Sequence, residues 1–339
     1  MDKWLQHQWF RISIWHIFLW PISLLFGLLV VIRRWCYRLR LFKATRLPVP
    51  VIVVGNLTVG GNGKTPLVIW LAQFLREQGY TPCVISRGYG GTATQPQSVT
   101  SATDSSLVGD EAVLLARRLR CPVWVGADRV AVARALLSVR PDCNIILSDD
   151  GMQHYRLQRD IEIAVVDGQR RFGNGLLLPA GPMREPRARL RCVDAVVVNV
   201  GQEYSTQQLQ ADEYAMQLAG SEFHSLQDPD TSAQASHFFG KKIHAVAAIG
   251  HPARFFNHLR SLGLEVVEHA FPDHHPYQPQ DLHFEDAEAI LMSEKDAVKC
   301  TGFNIRSAWF LPVTGQLAVA FGDKILQLLK AIENGRKTA

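Results

Sequence analysis

Two hydrophobic textures divide the chain. From Ile12 to Ile32 run 21 residues without a formal charge, interrupted only by Ser13, His16, Pro21, Ser23 and Gly27. A helix rises about 1.5 Å per residue, so the stretch covers about 30 Å, the depth of one hydrocarbon core. Pro21 near its middle permits a kink, or a helix lying partly in one leaflet. After Pro48 and Pro50 the pattern changes to short apolar runs alternating with amphipathic stretches. It predicts strands over Val51–Val54, Pro82–Ser86, Val123–Val125, Asn144–Leu147, Ile161–Val166 and Ala195–Val200. Between them it predicts helices over Lys64–Gly79, Asp110–Arg120 and Asp128–Val139, the last capped by Asp128. Gly88–Ser106, rich in Gly, Thr, Ser and Gln, reads as a loop.

Residues 201–240 are polar, with few long apolar runs. The alternation then resumes, with strands over Ile243–Ile249, Leu264–Phe271, Ala289–Met292 and Ala308–Leu311 and helices over Pro252–Leu262 and Lys324–Ile332. This βαβα order predicts an α/β fold, a mainly parallel sheet with helices on both faces and a second, smaller α/β domain. Four parts follow: a membrane anchor helix with a basic juxtamembrane segment over 1–46, a larger α/β domain over 47–200, a polar linker over 201–240 and the smaller domain over 241–339.

Charge sharpens the reading of the first part. The formal net charge of +5 for 339 residues invites a nucleic-acid interpretation until it is located. Residues 1–46 hold eight Lys or Arg and one acid, a net +7, which leaves −2 for residues 47–339. The basic excess, with Arg33, Arg34, Arg38 and Arg40, therefore sits beside the apolar stretch and points to a bilayer rather than to nucleic acid. Trp4, Trp9, Trp15, Trp20 and Trp35, five of the eight Trp, mark an interfacial belt. A cleaved signal would carry its positive charge ahead of the apolar run, and a buried core helix would rarely stay uncharged for so long. By the positive-inside rule everything after the arginines is cytoplasmic. The six Cys form no C-x-x-C pair and no zinc spacing, and read as reduced thiols.

The candidate chemistry begins where the first strand meets Thr58-Val59-Gly60-Gly61-Asn62-Gly63-Lys64-Thr65. Gly63, Lys64 and Thr65 fit a P-loop, but Thr58 stands where the leading Gly belongs, with Gly60 and Gly61 supplying flexibility inside the loop. Backbone N–H groups of such a loop and the helix N-terminus behind it cradle phosphate oxygens. Lys64 reaches the β and γ phosphates, and the Thr65 hydroxyl suits Mg²⁺. The alternative, a Gly-rich turn that happens to precede Lys-Thr, is disfavoured by the strand before it and the helix after it. A second apolar strand ends in Ser148-Asp149-Asp150, where a P-loop fold places the carboxylate on the Mg²⁺ side; a plain turn is the competing explanation.

Other segments stay open on residue chemistry alone. Asp110, in Gly109-Asp110-Glu111, is either a helix N-cap or a proton acceptor at the mouth of a phosphate site. Arg184 and Glu185, in the rigid Leu178–Pro186 loop, either face phosphoryl charge or an anionic substrate, or belong to a surface turn. Asp273-His274-His275 follows a predicted strand and suits proton handling better than a metal. Lys295-Asp296 is faintly similar to the base-reading Lys-x-Asp of GTP-binding proteins, and a strand-to-helix cap explains it equally.

Taken in order, these blocks resemble the tetraacyldisaccharide 4′-kinase family, the lipid A 4′-kinases of Gram-negative bacteria. The resemblance spans nearly the whole chain. It rests on the N-terminal apolar helix, Val54–Pro66, Ser86-Arg87-Gly88-Tyr89-Gly90-Gly91, Gly109–Glu111, Ser148–His154, Pro179–Pro186, Phe271–Tyr277 and Glu294–Lys299. It implies a kinase at the inner membrane, using ATP and Mg²⁺ to phosphorylate the 4′-hydroxyl of a tetraacylated glucosamine disaccharide 1-phosphate. It also implies that Asp110 is the base, supported by His274 rather than His275. Thr58, Val59, Gly60, Gly61, Asn62, Gly63, Lys64 and Thr65 would bind nucleotide. Thr65, Asp149, Asp150 and Glu185 would be on the metal side, and Arg184 and Asn56 toward the substrate. Ala127-Asp128-Arg129 fits the family pattern loosely and receives no role. The expected partners are the lipid substrate and the bilayer, with no nucleic acid and no obligate protein partner. The alternative is a membrane-associated P-loop ATPase or GTPase that switches a protein partner; it would need neither Asp110 nor the Asp-His-His turn.

Overall fold

The computed structural model describes residues 8–201, 209–210, 212–305 and 307–337. Trp4 of the expected interfacial belt lies outside them. In chain order the first strands are β1 (Val51–Gly55), β2 (Pro82–Ser86), β3 (Gln97–Val99), β4 (Val123–Val125), β5 (Ile145–Asp149), β6 (Ile161–Asp167), β7 (Ala195–Val200) and β8 (Glu213–Ala219). The next are β9 (Glu222–Ser225), β10 (Ser232–Gln234), β11 (Ile243–Ala247), β12 (Val266–Ala270), β13 (Ala289–Ser293), β14 (Ala308–Leu311) and β15 (Thr314–Leu317). The helices are α1 (His16–Arg38), α2 (Lys64–Glu77), α3 (Ser105–Val108), α4 (Asp110–Arg118), α5 (Arg129–Val139), α6 (Pro252–Ser261), α7 (Glu294–Lys299) and α8 (Val319–Lys337).

Among the described residues, nine strands form one sheet in the order β15-β8-β7-β6-β1-β5-β2-β4-β3. Neighbours from β8 to β4 run parallel, and the two edge strands, β15 and β3, are antiparallel. The central strands are buried on both faces, which is why they read as continuous Val/Ile/Leu runs rather than alternating ones. α2 and α4 cover one face over a core that includes Leu67, Leu71, Leu75 and Leu115. α5 covers the other over Val130, Ala133 and Leu136, and Asp128 caps it by accepting the N–H groups of Val130 and Ala131. The second sheet has the order β10-β9-β14-β13-β11-β12, with β11, β12, β13 and β14 parallel.

The expected α/β architecture is present, but the chain passes between the sheets differently from the division read in the sequence. The polar 201–240 stretch carries β8, which joins the first sheet, and β9 and β10, which join the second. Residues 314–337, placed with the smaller domain by sequence, return to the first sheet: β15 pairs with β8, and Phe321, Ile325 and Leu329 of α8 join the core under α2. These elements are edge strands and a terminal helix whose partners are far away in sequence, so local pattern does not locate them.

α1 is the one helix among the described residues that is long and apolar enough to cross a membrane by length and composition. It runs from His16 to Arg38 with Pro21 in its first turns. Its apolar side chains are outward and exposed, among them Ile17, Phe18, Trp20, Leu24, Leu25, Leu28 and Leu29. The stripe that touches the protein is polar and small: His16, Ser23 and Gly27. Ser23 Oγ donates to Leu177 O and accepts from the Ala180 N–H, both at 2.9 Å, and His16 Nε2 lies 3.1 Å from Ala180 O. A side chain at Gly27 would meet Leu177 Cδ1 at 2.7 Å.

Candidate active site

The P-loop takes its shape from two glycines. Gly60 has φ 112° and Gly63 has φ 91°, backbone that a side chain disfavours. At Gly63 there is no room either, since a Cβ would sit 2.5 Å from Asn199 Nδ2. Side-chain amides brace the loop. Asn62 Nδ2 donates to Thr58 Oγ1 at 2.8 Å, Asn199 Nδ2 to Asn62 O at 3.1 Å, and Asn56 Nδ2 to Thr58 O at 2.7 Å. Asn56 is completely buried at the root of the loop, so it shapes the P-loop instead of facing an acceptor as expected. α2 starts at Lys64 with Gly63 at its cap position, leaving the first-turn N–H groups to face a ligand.

Beside the loop lie the acids of β5. Lys64 Nζ is 3.5 Å from Asp150 Oδ1, and Arg184 Nη1 is 3.3 Å from Asp150 Oδ2. Arg184 thus stands with Lys64 at the phosphate end of the site. Burial raises the Asp150 carboxyl, but Lys64 and Arg184 outweigh it and hold the group below the ordinary range. Asp150 has φ 46°, a left-handed conformation that swings its carboxylate off the end of the strand. Asp149 is 1 % exposed, and its Oδ1 has no hydrogen-bond partner. Burial, then the Glu111 charge, push Asp149 up to about 7. A buried, unpartnered carboxylate oxygen beside a P-loop is what a hard divalent cation would satisfy, so Asp149, Asp150 and the Thr65 hydroxyl fit Mg²⁺.

Glu185 is a different case. Its oxygens are held by Gln153 Nε2 at 2.9 Å, Tyr155 OH at 2.5 Å and Arg189 Nε at 3.4 Å. Among the described residues no group of three or more His, Cys, Asp or Glu converges as a metal cluster, so Glu185 does not join Asp149 and Asp150. It anchors the Leu178–Pro186 loop, which also hydrogen-bonds the start of the P-loop through Val59 N to Pro182 O and Arg184 N to Leu57 O.

The third component comes from both sheets. Asp110 is 5 % exposed at the start of α4, and the cap position belongs to Gly109, with φ 86°. The N-cap alternative for Asp110 therefore fails. Its Oδ1 accepts the Glu111 N–H at 2.9 Å, and its Oδ2 lies 3.0 Å from His274 Nδ1. His274 has φ 62°, which turns its ring toward α4, beside the Tyr89 ring at 5.2 Å. His275 faces away, bonded to Asp281 Oδ2 at 3.0 Å and stacked on Phe271. Burial raises Asp110, but the hydrogen bond from His274 and the Lys295 charge leave it below the ordinary range. The same hydrogen bond raises His274 above the ordinary imidazole value, against burial.

Several residues that the sequence left without a role acquire one here. Arg129 is buried with its guanidinium on the carbonyls of Gly126, Asp149 and Asp150, supporting the acids from below. Glu111 and Lys295 pair at 2.9 Å beside Asp110. Asp296, by contrast, follows the cap explanation: it bonds Ser293 Oγ and the Ala248 N–H. A buried Arg or Lys has no local signature, because burial is set by neighbours distant in sequence.

Together, a braced P-loop, a carboxylate pair on the next strand and an Asp–His pair spanning the two sheets define a phosphotransferase of the P-loop class. The sequence profile of the tetraacyldisaccharide-1-P 4′-kinase family matches residues 15–330, and the chain belongs to that family. It is 54 % identical over 311 residues to the tetraacyldisaccharide 4′-kinase of Nitrosococcus oceani, covering 91 % of this chain and 89 % of that one. It is 49 % identical over 328 residues to that of Methylobacillus flagellatus, covering 97 % and 96 %. The fold is similar to the crystal structure of LpxK from Aquifex aeolicus in complex with ATP, with a TM-score of 0.76, 28 % identity and coverage of 91 % of this chain and 97 % of that chain.

Proposed function

We propose that this kinase transfers the γ-phosphoryl group of ATP to the 4′-hydroxyl of a tetraacylated glucosamine disaccharide 1-phosphate at the cytoplasmic face of the inner membrane. The observation that carries the reading is the Asp110–His274 contact at 3.0 Å, made across 164 residues. Lys64, Arg184 and the loop N–H groups bind and orient the phosphates and meet the charge that develops on them. Asp110, ionised and oriented by His274, takes the hydroxyl proton as the oxygen attacks phosphorus in line. Mg²⁺, held by Thr65, Asp149 and Asp150, would supply further charge neutralisation. α1 gives its apolar face to the bilayer, which keeps the site at the surface where an acylated substrate resides.

A nucleotide switch would not require a carboxylate–imidazole pair beside the phosphate site. The test is radiolabelled ATP and Mg²⁺ with the purified tetraacyl disaccharide 1-phosphate. Label should appear in the lipid, and Asp110→Asn should lose transfer while still binding ATP. Release of phosphate to water with no labelled lipid would favour the switch.

A further inference from the structure

Lys295 sits in the helix α7 of the second sheet, and its ammonium reaches across to α4. Nζ lies 2.9 Å from Glu111 Oε1, 3.4 Å from His274 Nε2, 3.7 Å from Asp273 Oδ1 and 3.9 Å from Asp110 Oδ2. The side chain is 16 % exposed. The groups facing this point are Asp110 and Glu111 from α4, Asp273 and His274 from the turn after β12, and Lys299 from α7 itself, with the Tyr89 ring beside His274. A lysine ammonium has donors and no acceptor. Its contact with His274 is a hydrogen bond only if Nε2 is unprotonated. The ring proton is then on Nδ1, the nitrogen that faces Asp110.

We propose that Lys295 is a positioning residue that fixes His274 as the neutral Nδ1–H tautomer, so that the imidazole donates to Asp110 and leaves that carboxylate ionised and aimed. The inference rests on Asp110 as the base and adds what keeps its partner in the working form. An imidazolium in the same place would pair with Asp110 as a full ion pair and weaken it as a base. The positive charge of Lys295 opposes that state, while Glu111 and Asp273 keep the ammonium itself protonated. Lys295 and His274 both come from the second unit and Asp110 and Glu111 from the first, so the Nδ1–H meets its carboxylate only when the two units are in contact.

The test has two arms. In the full-length wild-type enzyme in detergent micelles, ¹⁵N NMR of labelled histidine, assigned with His274→Gln, should show Nε2 of His274 unprotonated and Nδ1 protonated at pH 8. In Lys295→Met, kcat should fall about ten- to hundredfold, a share of the roughly 10²–10⁴ that general-base catalysis supplies. The KM for ATP should hold, and the acid limb of the kcat profile should move to higher pH. Lys295→Arg should restore the limb. A wild-type ring protonated on Nε2 alone, or a Lys295→Met limb that does not move, overturns the proposal. If Lys295→Met does not fold, the wild-type NMR arm decides alone. Full kcat in Asp110→Asn would instead remove the base assignment, and the NMR arm separates the two failures.

Discussion

At the scale of single residues, charge placement governs this site. On the proposed function Lys64 faces the β and γ phosphates, and Lys64→Ala should reduce transfer by about a hundred- to a thousandfold, a loss of the size that removal of a transition-state charge contact produces. Near-normal turnover would mean the P-loop does not hold the donor. Asp110→Ala and His274→Ala should each lower kcat far more than ATP binding, and the double variant should be little worse than Asp110→Ala, because the two act as a unit. Losses that multiply would break the pairing. The pair also has a stability signature. Asp110 is depressed, so its contribution is complete above the ordinary Asp value of about 3.9 and fades as pH falls through the folded value. His274 is raised, so its contribution is complete below about 6.5 and fades as pH rises through the folded value. The gap in melting temperature between wild type and Asp110→Asn should therefore be widest between about pH 4 and 6.5 and shrink on both sides. Activity should instead rise as His274 loses its extra proton. A gap that is flat with pH would show that the pair is not ionically coupled.

At the scale of elements, α1 is more than a tether. Its polar stripe holds the Leu177–Ala180 segment, and the same loop continues through Met183 to Arg184 and hydrogen-bonds the start of the P-loop. Ser23→Val would leave the Ala180 N–H without its acceptor, at a cost of about 1–3 kcal/mol, while Leu177 O keeps the Gly181 N–H. The expected outcome is a lower kcat with vesicle binding unchanged, measured by co-sedimentation and turnover on the same preparation. Removal of residues 1–33 should abolish most vesicle binding and leave a salt-sensitive remainder through Arg34, Arg38, Arg40 and Lys43. The main cores contain no residue before Leu47, so the truncated protein should still melt cooperatively. Failure to fold would make α1 part of the core.

At the scale of the whole molecule, the two units touch at both ends of the site. Gly250, in the loop after β11, packs on the P-loop so closely that a Cβ there would lie 2.7 Å from Gly61 N. Arg170 Nη1 donates to Gly250 O at 3.1 Å, and Arg254 reaches Asp167 and Asn199 O, which ties that loop to β6 and β7. Gly250→Val should push the loop off the P-loop, weakening ATP binding and turnover together while the melting temperature changes little. Unaltered ATP affinity in titration calorimetry would show that the contact is incidental to the nucleotide.

The sequence by itself determined the parts whose physics is local. The apolar run of α1, the β-branched central strands, the Gly63-Lys64-Thr65 turn and the Asp128 cap each follow from neighbours within a few residues, and each is where the pattern places it. Tertiary structure decided what depends on distant partners. It returned β15 and α8 to the first sheet, because an edge strand and an amphipathic helix bury their faces wherever a complementary surface stands. It buried Asn56 under the P-loop and tied Glu185 to Gln153, Tyr155 and Arg189. It chose His274 over His275, because a backbone turn at φ 62° aims one ring at Asp110 and the other at Asp281. It also brought Lys295 to Glu111 over 184 residues, a contact no local spacing encodes, since an ion pair between sheets depends on how the sheets dock.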